Sequence, residues 1–285
     1  MIKKIVSLKS VFILCFSILA SGVLADEEHS AEKQRLITSL MYKSGLISQI
    51  ESNAKSTVDG YVVALKSQNI TKEQIGFVEK QLAIYFNATA AKGDVRQYFL
   101  EAFTVDDLKP VLKWLNTPLG KRITQYEEDA SAPNVVANIE KLAEPLKGNL
   151  VRVKQCKKID EIVMGTESAV RMVINSQTSM MQALSSGFPG KQQISVDSLK
   201  LQLEKSKAVL YDFMASTLLS YQLISYQYVT NEELDLYIKF LETKRARKYS
   251  KVTINALEQA LINSSRKFGQ ALLKKALKKQ RQSTN

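Results

Sequence analysis

"FTVDDLKPVLKWLNTPLGKRI", residues 103–123, and "VTNEELDLYIKFLETKRARKY", residues 229–249, follow one grammar, and that grammar decides the fold. Set 126 positions apart, Thr104 meets Thr230, Leu108 meets Leu234, Lys113 meets Lys239, Leu115 meets Leu241 and Thr117 meets Thr243. Other pairs keep their character: Phe103 with Val229, Asp107 with Glu233, Leu112 with Ile238, Trp114 with Phe240.

The shared roles are physical. Thr104 with Asp107, and Thr230 with Glu233, have the spacing of a capping box, in which the hydroxyl accepts from a free backbone N–H and the acid favours the positive helix end. Phe103 or Val229 stands before each cap, and Leu108 or Leu234 stands four residues past it, as in a hydrophobic staple. Apolar residues then recur at 108, 111, 112 and 115, and at 234, 237, 238 and 241, the stripe of an amphipathic helix. The acids therefore read as caps rather than catalysts. Beyond the helix the stretches diverge. Thr117, Pro118 and Gly120 offer a cap, a first helical residue and a close approach, while the second stretch has Lys244 and Ala246 in place of Pro118 and Gly120. A break in the first copy is expected to become a continuous helix in the second.

The first stretch resembles the signature of a bacterial family known as domain of unknown function 2059: a Phe/Tyr-Thr-x-Glu-Glu-Leu start, an apolar helix, then a small hydroxyl residue, Pro, x, Gly and a basic residue. Phe103, Thr104, Asp106, Asp107, Leu108, Thr117, Pro118, Gly120 and Lys121 carry the likeness. The second stretch shares Thr230, Glu232, Glu233 and Leu234 and lacks the Pro and Gly, as a degenerate copy would. The resemblance implies an exported helical protein of uncharacterised function and brings no catalytic residues.

A similar offset organises the remainder. Helical patterns begin at Thr71 and at Ser195, each leading into one motif stretch, with others at about 30–56, 118–148, 154–186 and 250–281. "SSGFPGKQQ", 185–193, reads as the longest loop. No stretch reads as a strand. The expected fold class is all-α, a pseudo-duplicated helical array or bundle with roughly four helices per repeat. The expected division is a signal peptide over 1–25, one repeat over 26–148, and a second over 149–285 that carries a basic C-terminal helix.

The signal is read from basic Lys3, Lys4 and Lys9, an uncharged run from Val11 to Ala25, and small residues before Asp26. That run is shorter than the roughly 20 residues needed to span a bilayer, so cleavage near Ala25 and export, with the periplasm as compartment, are expected. The formal net charge is +12, and twelve Lys/Arg against the single acid Glu258 place +11 of it in 244–285. With the signal's +3 set aside, 26–243 sums to −2, a near-neutral body with a basic tail. Cys156 is the one cysteine past the signal, which excludes an internal disulfide there and fits a buried, idle thiol.

Nothing in the sequence forms an active-site constellation, and no enzymatic activity and no cofactor are expected. His29 is the only histidine and stands among charged residues near the expected mature terminus. The sequence has no phosphate loop, no nucleophile elbow and no Cys/His pair at a plausible site. Glu127, Glu128 and Asp129 form an acidic cluster that reads as a solvated helix face. Tyr211, Tyr221, Tyr226 and Tyr228, within and beside the uncharged stretch 213–231, fit either a core helix or an aromatic wall along a groove. In the tail, Ile254, Leu257, Leu261, Phe268 and Leu272 make a docking stripe, and Lys274, Lys275, Lys278, Lys279 and Arg281 gather at its end. Those five are the candidate contact with an anionic surface, lipid headgroups or another polyanion. Nucleic acid suits the charge equally, but export argues against it. The resulting expectation is a non-catalytic binding or scaffold protein of the bacterial envelope, with a protein or envelope component as partner. The alternative is a carrier or chaperone holding an apolar ligand between the repeats.

Overall fold

Thr104 and Thr230 open two helices with the same pair of hydrogen bonds. The Thr104 hydroxyl accepts from the Asp107 N–H at 3.3 Å, and the Asp107 carboxylate accepts from the Thr104 N–H at 3.0 Å. Thr230 and Glu233 repeat the exchange at 3.2 Å in each direction. Both staples close: Phe103 and Leu108 are buried in one core, Val229 and Leu234 in another.

The computed structural model describes residues 29–66, 71–186 and 196–283. The expected signal segment and most of the expected 185–193 loop lie outside the described residues. The described chain is all-α, without strands. Its helices are α1 (29–43), α2 (Leu46–Lys66), α3 (Lys72–Tyr85), α4 (Ala88–Ala102), α5 (Val105–Leu115) and α6 (Pro118–Ala130). Two short helices, α7 (Pro133–Val136) and α8 (Ile139–Ala143), and a 3₁₀ turn (Glu144–Leu146) follow. Then come α9 (Leu150–Val163), α10 (Gly165–Ser185), α11 (Val196–Lys205), α12 (Lys207–Ser225), α13 (Asn231–Leu241) and α14 (Lys244–Ser283).

Two sequence expectations need correction. Among the described residues, six helices rather than four precede α7, and six follow the 3₁₀ turn. Patterns that read as continuous are interrupted by local chemistry. Gly45 turns the chain at φ +69°, a left-handed conformation that a residue without a Cβ adopts freely. At the next break the Asn87 side chain accepts from the Ala90 N–H at 2.8 Å and starts α4. The second motif helix is not continuous either. Thr243 donates to the Phe240 carbonyl at 2.7 Å and accepts from the Ala246 N–H at 3.3 Å, the bonds that Thr117 makes to Trp114 (2.7 Å) and Gly120 (3.0 Å). The threonine makes the break, and Pro118 is not needed for it. At Gly120 an added Cβ would meet the Trp114 carbonyl oxygen at 2.3 Å, so the tighter first turn requires glycine.

Two main cores result, and each is completed by a helix from the far side of the chain. The first gathers Ile37, Leu40, Ile50, Phe99 and Leu108 from α1, α2, α4 and α5, and is closed by Ala256 and Ala260 of α14. The second gathers Cys156, Leu223, Leu234 and Ile238 from α9, α12 and α13, and is closed by Ile123 of α6. Burying a side chain such as Ile123 contributes about 1.5–3 kcal/mol, so each helix adds to a core remote from it in sequence. Cys156 is fully buried there, and burial pushes its thiol up to about 12.

Cross-links between the motif stretches follow the same offset. Trp114 and Phe240 stack face to face, with ring centroids 4.5 Å apart and planes 7° from parallel. The Asp107 carboxylate takes Lys248 and Arg245, each at 2.5 Å. Glu233 takes Arg122. Asp107 and Glu233 are 126 positions apart, and so are Arg122 and Lys248. Among the described residues no helix is long and apolar enough to cross a membrane.

Candidate functional site

The break at Thr117 sets the direction of α6, and Ile123, Glu127 and Ala130, spaced by four and three, turn one face of it inward. Ile123 and Ala130 are buried, and Glu127 is half-buried between them in sequence. The solvated face expected for Glu127–Asp129 therefore holds for exposed Asp129 and fails for Glu127. Tyr226 donates to Glu127 Oε1 at 2.7 Å and Tyr237 donates to the same oxygen at 3.2 Å. Tyr221 donates to the Glu127 backbone carbonyl at 2.5 Å, and its hydroxyl lies 2.8 Å from that of Ser131.

Burial pushes the Glu127 carboxyl up to about 7, and the charge of neighbouring Glu128 adds to the effect. The two tyrosine bonds oppose the shift without cancelling it. Burial, then the charge of Glu127, holds the Tyr226 and Tyr237 hydroxyls well above their usual range, so both keep their protons and donate.

A cavity of about 260 Å³ adjoins this group. Gln49, Thr124, Glu127, Glu128, Tyr221, Tyr237, Tyr249, Ser250 and Thr253 are among the residues around it, drawn from α2, α6, α12, α13 and α14. Of the four tyrosines suggested by the sequence, Tyr226 is buried and Tyr221 reaches the cavity, while Tyr211 and Tyr228 are exposed. The wall is completed by Tyr237 and Tyr249, which sequence reasoning missed. The inward spacing of Glu127 with Ile123 was the available signal for the carboxylate. Among the described residues no three His, Cys, Asp or Glu side chains gather as a metal site.

Arg152 was also missed. Its buried guanidinium donates to the Tyr226 carbonyl at 2.6 Å and the Val229 carbonyl at 2.5 Å, satisfying acceptors freed where α12 ends. This fixes the turn that places Tyr226.

At the other candidate site, Lys274, Lys275 and Lys278 are exposed near the end of α14, and the Lys275 ammonium lies 3.3 Å from the centre of the Phe77 ring on α3. The side chains of Lys279 and Arg281 lie outside the described ones. Upstream, the expected stripe docks: Phe268 is buried, with Leu261 and Leu272 packed in the same cluster. Glu258, the single acid of 244–285, is occupied by Arg171 at 2.8 Å and Asn175 at 2.7 Å. It therefore sits far from the lysines it would otherwise offset. Phe103, Thr104, Asp107, Leu108, Gly120, Thr230, Glu233 and Leu234 serve caps, turns or cores, as described above, and Pro118 is the first residue of α6.

The fold and these sites define a helical protein with two cross-completed cores, a carboxylate–tyrosine cavity and a basic helix end. A family model described as "Uncharacterized protein conserved in bacteria (DUF2059)" matches residues 90–146, which include the first motif and Glu127. No curated protein and no solved structure matches the chain.

Proposed function

We propose that this chain is an exported, non-catalytic scaffold of the bacterial envelope, built from two copies of one helical unit that close each other's cores. The basic end of α14 is its contact with an anionic surface. One observation carries the reading: α14 runs for 40 residues, seals the first core through Ala256 and Ala260, and then presents exposed Lys274 and Lys278 at its far end. A charged end on an anchored helix costs little ordering when it meets a surface, and each basic residue near an anionic membrane contributes about 1 kcal/mol. The paired bonds of Asp107 to Lys248 and Glu233 to Arg122, with Trp114 on Phe240, support the two-copy reading.

Deleting α14 would open the first core, so substitutions test the contact better than truncation. Mature protein carrying Lys274→Gln, Lys278→Gln, Lys279→Gln and Arg281→Gln is compared with wild type for sedimentation with phosphatidylglycerol vesicles at low salt. About a thousandfold weaker binding by the variant is expected, with neither protein binding phosphatidylcholine. Equal binding by both would sink the contact.

The carrier reading is favoured by a different observation, a mainly apolar cavity of about 370 Å³ among α2, α4, α10 and α14, with Ile50, Phe86, Met172 and Leu261 in its walls. Co-purification of a lipid-sized mass in native mass spectrometry would move that reading ahead.

A further inference from the structure

We propose that the cavity beside Glu127 is a binding site for a small organic ammonium ion. The inference is independent of the α14 surface contact, whose lysines do not line this cavity.

The lining chooses the charge. It contains two carboxylates, Glu127 and Glu128, and no lysine or arginine. An anion would meet repulsion with no compensating donor charge. A neutral apolar ligand would leave an ionised Glu127 desolvated and uncompensated.

The walls choose the kind of cation. Tyr221, Tyr237 and Tyr249 line the cavity, and aromatic faces attract alkylammonium groups through the ring quadrupole. A bare divalent cation prefers six or more oxygen ligands, whereas an amine is satisfied by one carboxylate and ring contacts. The volume of about 260 Å³ falls just under the roughly 300–1,000 Å³ of pockets for drug-sized ligands, so the occupant is small.

Glu127 is built for this contact. Both tyrosine hydroxyls converge on Oε1, which fixes the carboxylate plane, while Oε2 accepts no hydrogen bond from a described residue. The charged and titratable groups facing it are Glu128 on its own helix, Tyr221 from α12, Tyr226 just past the end of α12, Tyr237 from α13 and Tyr249 from α14. None is a cation. An ammonium ion in the cavity would supply the missing countercharge and favour the ionised form.

The test is isothermal titration calorimetry on the mature protein at pH 8, using choline, putrescine and 3,3-dimethylbutan-1-ol, the uncharged carbon analogue of choline. Saturable binding of at least one of the two cations is expected, with none for the alcohol. Glu127→Gln should weaken it about tenfold or more, and Tyr249→Leu, which removes the ring, about threefold or more. Circular dichroism checks that each variant is folded, and Tyr249→Leu keeps the test open if Glu127→Gln is not. No saturable binding of either cation up to about 10 mM overturns the proposal. Equal binding of the alcohol, unchanged affinity in Glu127→Gln, or displacement of the amine by calcium at equal concentration would overturn it too.

Discussion

Trp114 and Phe240 lie 126 residues apart in the chain and stack with their ring centres 4.5 Å apart. Each occupies the same place in its own motif helix, so the contact joins equivalent points of α5 and α13. A double-mutant cycle with Trp114→Leu and Phe240→Leu should give a coupling energy of about 0.5–1.5 kcal/mol by urea unfolding. A coupling near zero would mean that the rings merely share a solvent-shielded edge.

The two capping acids have the same role and different surroundings. Asp107 is 2 % exposed and bonds two cations, whereas the Glu233 side chain is 31 % exposed and bonds one. Burial works against the charge of Asp107, but the Lys248 ammonium and the Thr104 N–H and hydroxyl overcome it and hold the carboxyl well below the usual range. Asp107→Ala should cost about 2 kcal/mol, the worth of a cap and two ion pairs whose cations, 44 % and 40 % exposed, regain water. Glu233→Ala should cost about 1 kcal/mol, the worth of a cap and a surface ion pair. A depressed folded-state value stabilises at pH above the unfolded value, so the Asp107 contribution is lost as pH falls below about 4.

For Glu127 the sign is opposite. Its folded-state value lies at about 7, above the roughly 4.3 of an unfolded glutamate. The folded state therefore binds the proton more tightly, and its contribution is full below pH 4 and lost as pH rises to about 7. Wild-type stability should drop by on the order of 2 kcal/mol across that interval relative to Glu127→Gln. Urea unfolding of both proteins at several pH values measures the difference. Parallel curves would mean that the carboxylate ionises without penalty.

Met164 ends α9 in the left-handed conformation at φ 55°, and its side chain is largely exposed. Met164→Gly should raise stability by about 0.5–1 kcal/mol, since the relieved backbone strain exceeds the added freedom of the unfolded chain. The thermal midpoint reads this directly, and a lower midpoint would show that the side chain packs usefully.

The local features of this fold are legible in the sequence because they depend on neighbours. Thr104 caps what lies three residues ahead, Phe103 and Leu108 flank one turn, and the Phe268 stripe repeats at helical spacing. The breaks at Gly45 and Asn87 were harder, since the apolar pattern runs through both and only turn geometry divides it. The cavity was not legible. Glu127 meets Tyr226 and Tyr237 across 99 and 110 residues, and nothing local distinguishes it from Glu128 or Asp129 except its register with Ile123. The motif offset suggested a repeat, but no spacing reveals that α6 and α14 would each complete the opposite core.

That exchange of helices is the central claim, and separating the segments tests it most directly. Residues 26–148 and 149–285 are expressed alone and together, and helix content and urea unfolding are followed by circular dichroism. Each piece alone should be largely unfolded, the first lacking Ala256 and Ala260 and the second lacking Ile123. Together they should form a one-to-one complex that unfolds cooperatively. Two pieces that each fold cooperatively alone, and do not associate when mixed, would contradict the account.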